Sequence, residues 1–183
     1  MSLRPNLVVL VSAGGTVAAV SLLTLPWPAA IASSVLGVLM IAGADVDAKA
    51  FLLPNAVTYA AIASGVVAAA ALDPLDGWHA VMGATARGAA TALALALTKW
   101  SYARLRMREG LGFGDVKLAA AVGVWLPTAT IPLCFGLAAG AALVAVLLAR
   151  FRGEEVHAFT RVPFGAFLCP ALWLVFFAGV LLP

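Results

Sequence analysis

The chain has 183 residues, 64% of them hydrophobic and only 10% charged, with a formal net charge of +3. A soluble domain carries about 25% charged residues, so this composition excludes a soluble globular protein and predicts an all-α, polytopic membrane bundle in a lipid bilayer. A nucleic-acid partner is excluded too: the basic residues lie in short stretches between apolar runs, and no basic groove with stacking aromatics is present.

Seven apolar runs are expected as spans of about 20 residues each. They form a single membrane domain over residues 1–183. The first covers Leu7 to Leu25 and is stopped by Pro26-Trp27-Pro28. Arg4 before it and Ala30-Ile31-Ala32 after it have the look of a signal peptide. The run is long for a signal and a second span follows at once, so an uncleaved helix is expected. The second runs from Ala29 to about Val46, and the third from Ala56 to Leu72. Pro54-Asn55 is expected to open the third, since proline suits a first helical turn. A turn-rich loop, Asp73-Pro74-Leu75-Asp76-Gly77, leads to a fourth span from His79 to about Trp100. The fifth begins near Asp115 and reaches Leu126 or a little beyond. The sixth covers about Thr130 to Ala149 and the seventh Phe164 to Leu182. Pro127 and Pro132 blur the boundary between five and six.

Basic residues set the orientation. With the N-terminus cytoplasmic, the inside loops hold Arg4, Lys49, Lys99, Arg104, Arg106, Arg108, Lys117, Arg150, Arg152 and Arg161. The outside loops hold Asp73 and Asp76 and no Lys or Arg, as the positive-inside rule requires. Arg87 alone lies within a span, where it must face the bundle interior or find a partner. Small residues such as Gly136-x-x-x-Gly140 are expected to let helices approach closely. Cys134 and Cys169 lie inside apolar runs with no C-x-x-C pair, which predicts small buried side chains and not a zinc site. His79 and His157 fall near segment ends on opposite faces. Neither a metal nor a cofactor is expected.

Two acidic motifs carry the chemistry. The first is Asp47-Ala48-Lys49-Ala50-Phe51-Leu52-Leu53-Pro54-Asn55. The second is Gly112-Phe113-Gly114-Asp115-Val116-Lys117. A carboxylate at a membrane boundary is costly, and the orientation places both at the cytoplasmic face. Asp45 and Asp47 are two apart, so on a helix they point to nearly opposite sides and only one can serve the site. The Asp47 segment is expected to be a short connection folding back over the bundle. Gly112 and Gly114 permit unusual backbone angles and the close approach of another chain. An N-cap is the simplest role for a lone aspartate such as Asp115. The glycine pair and a second carboxylate on the same face argue for catalysis. Two carboxylates in one site cannot both ionise easily, so the pair shares a proton. One member then draws a proton from water while the other donates to a carbonyl or leaving amine. Which member holds the proton belongs to the pair as a whole. Lys117 reads as an anchor to lipid headgroups or as a charge biasing the pair.

At these residues the chain resembles the type IV prepilin peptidases, bacterial inner-membrane aspartic proteases of the GxGD class, related in mechanism to presenilin-type enzymes. The resemblance runs on from Glu109 through Leu126. It includes Val162-Pro163-Phe164-Gly165-Ala166-Phe167-Leu168, where Ala166 replaces a proline of the family pattern. It implies a multi-pass inner-membrane peptidase that removes the short basic leader of prepilins or pseudopilins after a glycine. It implies Asp47 and Asp115 as the catalytic pair, with Gly112, Gly114, Pro54, Asn55 and Lys117 shaping the site. Asp45 has no counterpart in the motif. Larger family members carry an N-terminal domain with paired cysteines that supports methylation. This sequence has neither, so a peptidase-only form is expected. The alternatives are a GxGD protease for other membrane substrates, or a non-catalytic scaffold or transporter. Carboxylates gathered at one face, with no second set across the bilayer, disfavour a transport path.

Overall fold

The computed structural model describes residues 5–73, 75–106, 112–152 and 163–182. Arg4, Pro74, Arg108, Glu109, His157, Arg161 and Val162 lie outside these. Among the described residues seven helices follow one another: α1 (Leu7–Thr24), α2 (Ala29–Ala50), α3 (Asn55–Leu72), α4 (Gly77–Arg106), α5 (Phe113–Trp125), α6 (Ile131–Phe151) and α7 (Phe164–Leu181). All except α5 are long and apolar enough to cross a membrane. The expected spans are met within a few residues. The main departure is α2, which runs on through Asp45 and Asp47 to Ala50. The Asp47 segment is therefore the last turn of a helix and not a connection, a correction to the sequence expectation. Phe51, in the left-handed region at φ 53°, ends that helix and donates its N–H to the Asp47 carbonyl at 2.8 Å.

α5 is the axis of the bundle. It packs against α3, α4, α6 and α7. Leu118, Ala119, Ala121, Val122, Val124, Trp125 and Leu126 are all buried along it. Leu36 and Met40 of α2, Ala61 of α3, and Leu168, Leu172 and Phe176 of α7 complete the core around it. Trp125 sets its height by donating Nε1–H to the Ala61 carbonyl at 2.7 Å and packing edge-on to Phe176. Gly88 and Gly123 bring α4 and α5 into backbone contact. A Cβ on Gly123 would stand 2.5 Å from the Arg87 carbonyl oxygen. Gly136 and Gly140 do not play that part. A Cβ on either would meet no other part of the bundle within 4 Å, so their side of α6 faces outward and the packing expected there is absent.

At 13 residues α5 is the shortest helix. It measures only about 20 Å at 1.5 Å per residue, against a hydrocarbon core of about 30 Å. Its ends are matched to α4. Arg87 Nε donates to the Leu126 carbonyl at 3.2 Å, and Lys99 Nζ lies 3.6 Å from the centre of the Phe113 ring. The guanidinium thus meets the negative end of a helix that Pro127 terminates, which is the partner the sequence required for Arg87. Beyond that end lies a cavity of about 270 Å³, lined by Leu72, Ala80, Arg87, Trp125, Pro127 and Phe176 among others.

α1 and α7 clasp the far side of α2. Ser21 and Ser33 hydroxyls are 2.9 Å apart and buried, and Trp173 Nε1 donates to Ser33 Oγ at 3.1 Å. Interhelical hydrogen bonds of this kind contribute about 0.6 kcal/mol each in a membrane. Cys134 and Cys169 are free and fully buried, as expected.

Candidate active site

Asp47 and Asp115 come from separate helices to one end of the bundle. Asp47 is only 5% exposed. Its Oδ2 accepts the main-chain N–H of Ala166 at 2.9 Å. Ala166 lies in the first turn of α7, so the carboxylate sits where free N–H groups and the positive end of the helix dipole meet it. Gly165 makes this approach possible. A Cβ there would stand 2.8 Å from Asp47 Oδ2 and 2.6 Å from Leu53 Cδ1.

Asp115 is the third residue of α5, and its Oδ2 accepts the N–H of Gly112 at 3.1 Å. It therefore does part of the capping work first considered for it, tying down the helix start. Gly112 is in ordinary extended conformation at φ −74°, so no unusual backbone angle is used there. Gly114 matters for close approach instead. Leu53 Cβ lies 3.0 Å from the place its side chain would take. Asp47 and Asp115 are within electrostatic reach of one another, and Lys99 lies within reach of Asp115.

The remaining sequence candidates form a brace beside the pair. Pro54 precedes α3, Asn55 is its first residue, and Lys117 Nζ donates to Asn55 Oδ1 at 2.7 Å. The ammonium also stands 5.2 Å from the Tyr59 ring centre. Lys117 thus links α5 to α3, a partner neither of its two sequence readings supplied. Asp45 points away, as two-residue spacing on a helix demands. Its carboxylate takes Lys49 Nζ at 2.6 Å and the Asn6 N–H at 2.8 Å, pinning the start of α1 to the end of α2.

Four participants escaped the sequence reading. Leu53, Gly165 and Ala166 were visible only as parts of motifs, and Lys99 only as an inside charge. A three-residue glycine motif beside an aspartate could have flagged close contact, but not with which partner.

The pair has the parts for acid–base hydrolysis: two carboxylates on independent supports and a mostly apolar surround. Among the described residues no three His, Cys, Asp or Glu side chains gather into a metal-binding group.

Comparison with known proteins gives the chain a family. The type IV leader peptidase family matches residues 34–149. A prepilin leader peptidase/N-methyltransferase of Aeromonas hydrophila is 29% identical over 98% of this chain and 60% of its own length. One from Pseudomonas putida is 38% identical over 39% of this chain and 25% of its own. The leader peptidase HopD of Escherichia coli is 40% identical over 37% of this chain and 44% of its own. The chain thus spans a quarter to three fifths of these three relatives. No solved structure matches.

Proposed function

The chain belongs to the type IV leader peptidase family, and on that footing we propose that it is an aspartic endopeptidase that cleaves the leader from prepilins or pseudopilins. The observation that carries the reading is the meeting of Asp47 and Asp115, from α2 and α5, at one end of the bundle. That is the end where Lys49, Lys99, Arg104, Lys117, Arg150 and Arg152 lie. The positive-inside rule makes it the cytoplasmic end of an inner-membrane protein, with the N-terminus inside.

In the reaction the pair shares one proton. The ionised carboxylate takes a proton from water as its oxygen attacks the scissile carbonyl carbon. The protonated carboxyl gives its proton to the carbonyl oxygen. The tetrahedral intermediate then collapses: a hydroxyl of the intermediate returns its proton to one carboxylate as the carbonyl re-forms, the C–N bond breaks, the amine leaves with the proton that the other carboxyl took from water, and the pair is back in its starting state. One peptide bond is lost and one water consumed, with no covalent enzyme intermediate.

The test is cleavage of a synthetic prepilin peptide, with a basic leader, a glycine and an apolar segment, by the purified protein in detergent. A single cut after the glycine is expected. An intact peptide after prolonged incubation with folded protein would reject the reading.

A further inference from the structure

Leu53 lies in the four-residue connection between α2 and α3, after the left-handed turn at Phe51. Its side chain is gripped by three bare α-carbons on three helices. Cδ2 lies 3.5 Å from where a Cβ of Gly43 would stand, in α2. Cβ and Cδ1 lie 3.0 and 3.5 Å from the corresponding place at Gly114, in α5. Cδ1 lies 2.6 Å from that of Gly165, in α7, where Asp47 Oδ2 is the next neighbour at 2.8 Å. These helices carry Asp47, Asp115 and the N–H that holds Asp47. One leucine therefore touches every support of the pair.

We propose that Leu53 is a positioning residue that sets the spacing between Asp47 and Asp115. This rests on reading those two as the catalytic pair. The branched end of leucine suits the task, since its two methyls bear on different helices while its Cβ bears on a third. Close-packed interiors transmit such contacts, because a neighbour cannot relax without moving the next one. The connection is short, and Pro54 fixes its exit into α3. Leu53 therefore cannot withdraw without displacing the end of α2 that bears Asp47. Cutting the side chain back to Cβ leaves a void between three helices, and the helices close on it. Proton transfer and water attack depend on placement at the level of about 1 Å, a displacement that can cost roughly 100-fold in rate.

The experiment compares wild type, Leu53→Ala and Leu53→Met in steady-state cleavage of the prepilin peptide at matched amounts of folded protein. Leu53→Ala is expected to lower kcat by roughly 30-fold or more with KM within about threefold, because the loss is in the reacting geometry and not in substrate binding. Leu53→Met, of similar volume, is expected to recover kcat to within about fivefold. Wild-type kcat in Leu53→Ala overturns the proposal. So does a raised KM at unchanged kcat, which would put Leu53 in contact with substrate. So does a Leu53→Met enzyme no better than Leu53→Ala. If Leu53→Ala does not accumulate in the membrane, Leu53→Val must show the same fall in kcat, and wild-type kcat there overturns the proposal equally. Absence of cleavage by wild type itself would sink the peptidase reading and this role with it. The other negative outcomes sink this role alone.

Discussion

Ala166 holds Asp47. The main-chain N–H of one donates to Oδ2 of the other at 2.9 Å, across 119 positions of sequence. This bond is possible because the residue before Ala166 is a glycine, whose bare α-carbon lies against the carboxylate.

Gly165→Ala should therefore be more damaging than its single carbon suggests. The new Cβ would meet Asp47 Oδ2 at 2.8 Å and Leu53 Cδ1 at 2.6 Å, and both must shift. Prepilin cleavage should fall by at least about tenfold, or about 1.4 kcal/mol in transition-state energy. Wild-type kcat in a normally folded Gly165→Ala protein would show that the site tolerates a displaced Asp47.

Asp47→Asn and Asp115→Asn should each abolish cleavage, with rates down roughly 1,000-fold or more. Both should leave the fold intact, because an amide oxygen can still accept from Ala166 or Gly112. The double mutant should be no worse than either single, since the two act as a unit. Wild-type activity should fall on both sides of a pH optimum, as a shared proton requires. Appreciable cleavage by either single mutant would end the two-carboxylate mechanism.

Asp45→Asn is the control two residues away. Its partners are Lys49, half exposed, and the Asn6 N–H, both outside the site. An exposed ion pair contributes about 0–1 kcal/mol, so activity should stay within about threefold of wild type. Loss here with activity retained in Asp47→Asn would exchange the roles of the two aspartates.

Orientation is tested by labelling. A cysteine at Asp76 or Gly77 should react with an impermeant thiol reagent in intact cells, and a cysteine at Arg152 should not. The reverse pattern would move the pair to the opposite face of the membrane.

Arg87→Leu should destabilise the protein without touching the chemistry. It removes the donor to the Leu126 carbonyl at the end of α5 remote from the pair. A buried carbonyl left unsatisfied costs about 1–3 kcal/mol. A lower melting temperature in detergent is expected, with near-normal cleavage at low temperature. Unchanged melting would mean that the carbonyl finds another donor.

Much of this was legible from sequence because membrane helices are written as apolar length. Most helix bounds, though not the run of α2 on to Ala50, and the divergence of Asp45 from Asp47 follow from that length and from helical spacing. The glycines were harder. Gly136-x-x-x-Gly140 matches a packing pattern but faces outward, whereas Gly114 and Gly165, which admit Leu53, depend on chains brought together from distant parts of the sequence. Lys99 looked like one inside charge among many. Its place over Phe113 depends on how far α5 slides along α4, which no local pattern encodes.

That slide leaves α5 as a septum. The aspartates stand at one of its ends and the cavity beside Arg87 at the other. Between them runs Leu118 to Leu126, whose single polar side-chain group, the Trp125 indole N–H, is already committed to Ala61. A protease that admits water into a membrane bundle also risks conducting protons. Here no chain of hydrogen-bonding side chains on α5 links the two ends. The end that bears the aspartates can stay wet while the bilayer keeps its electrical resistance.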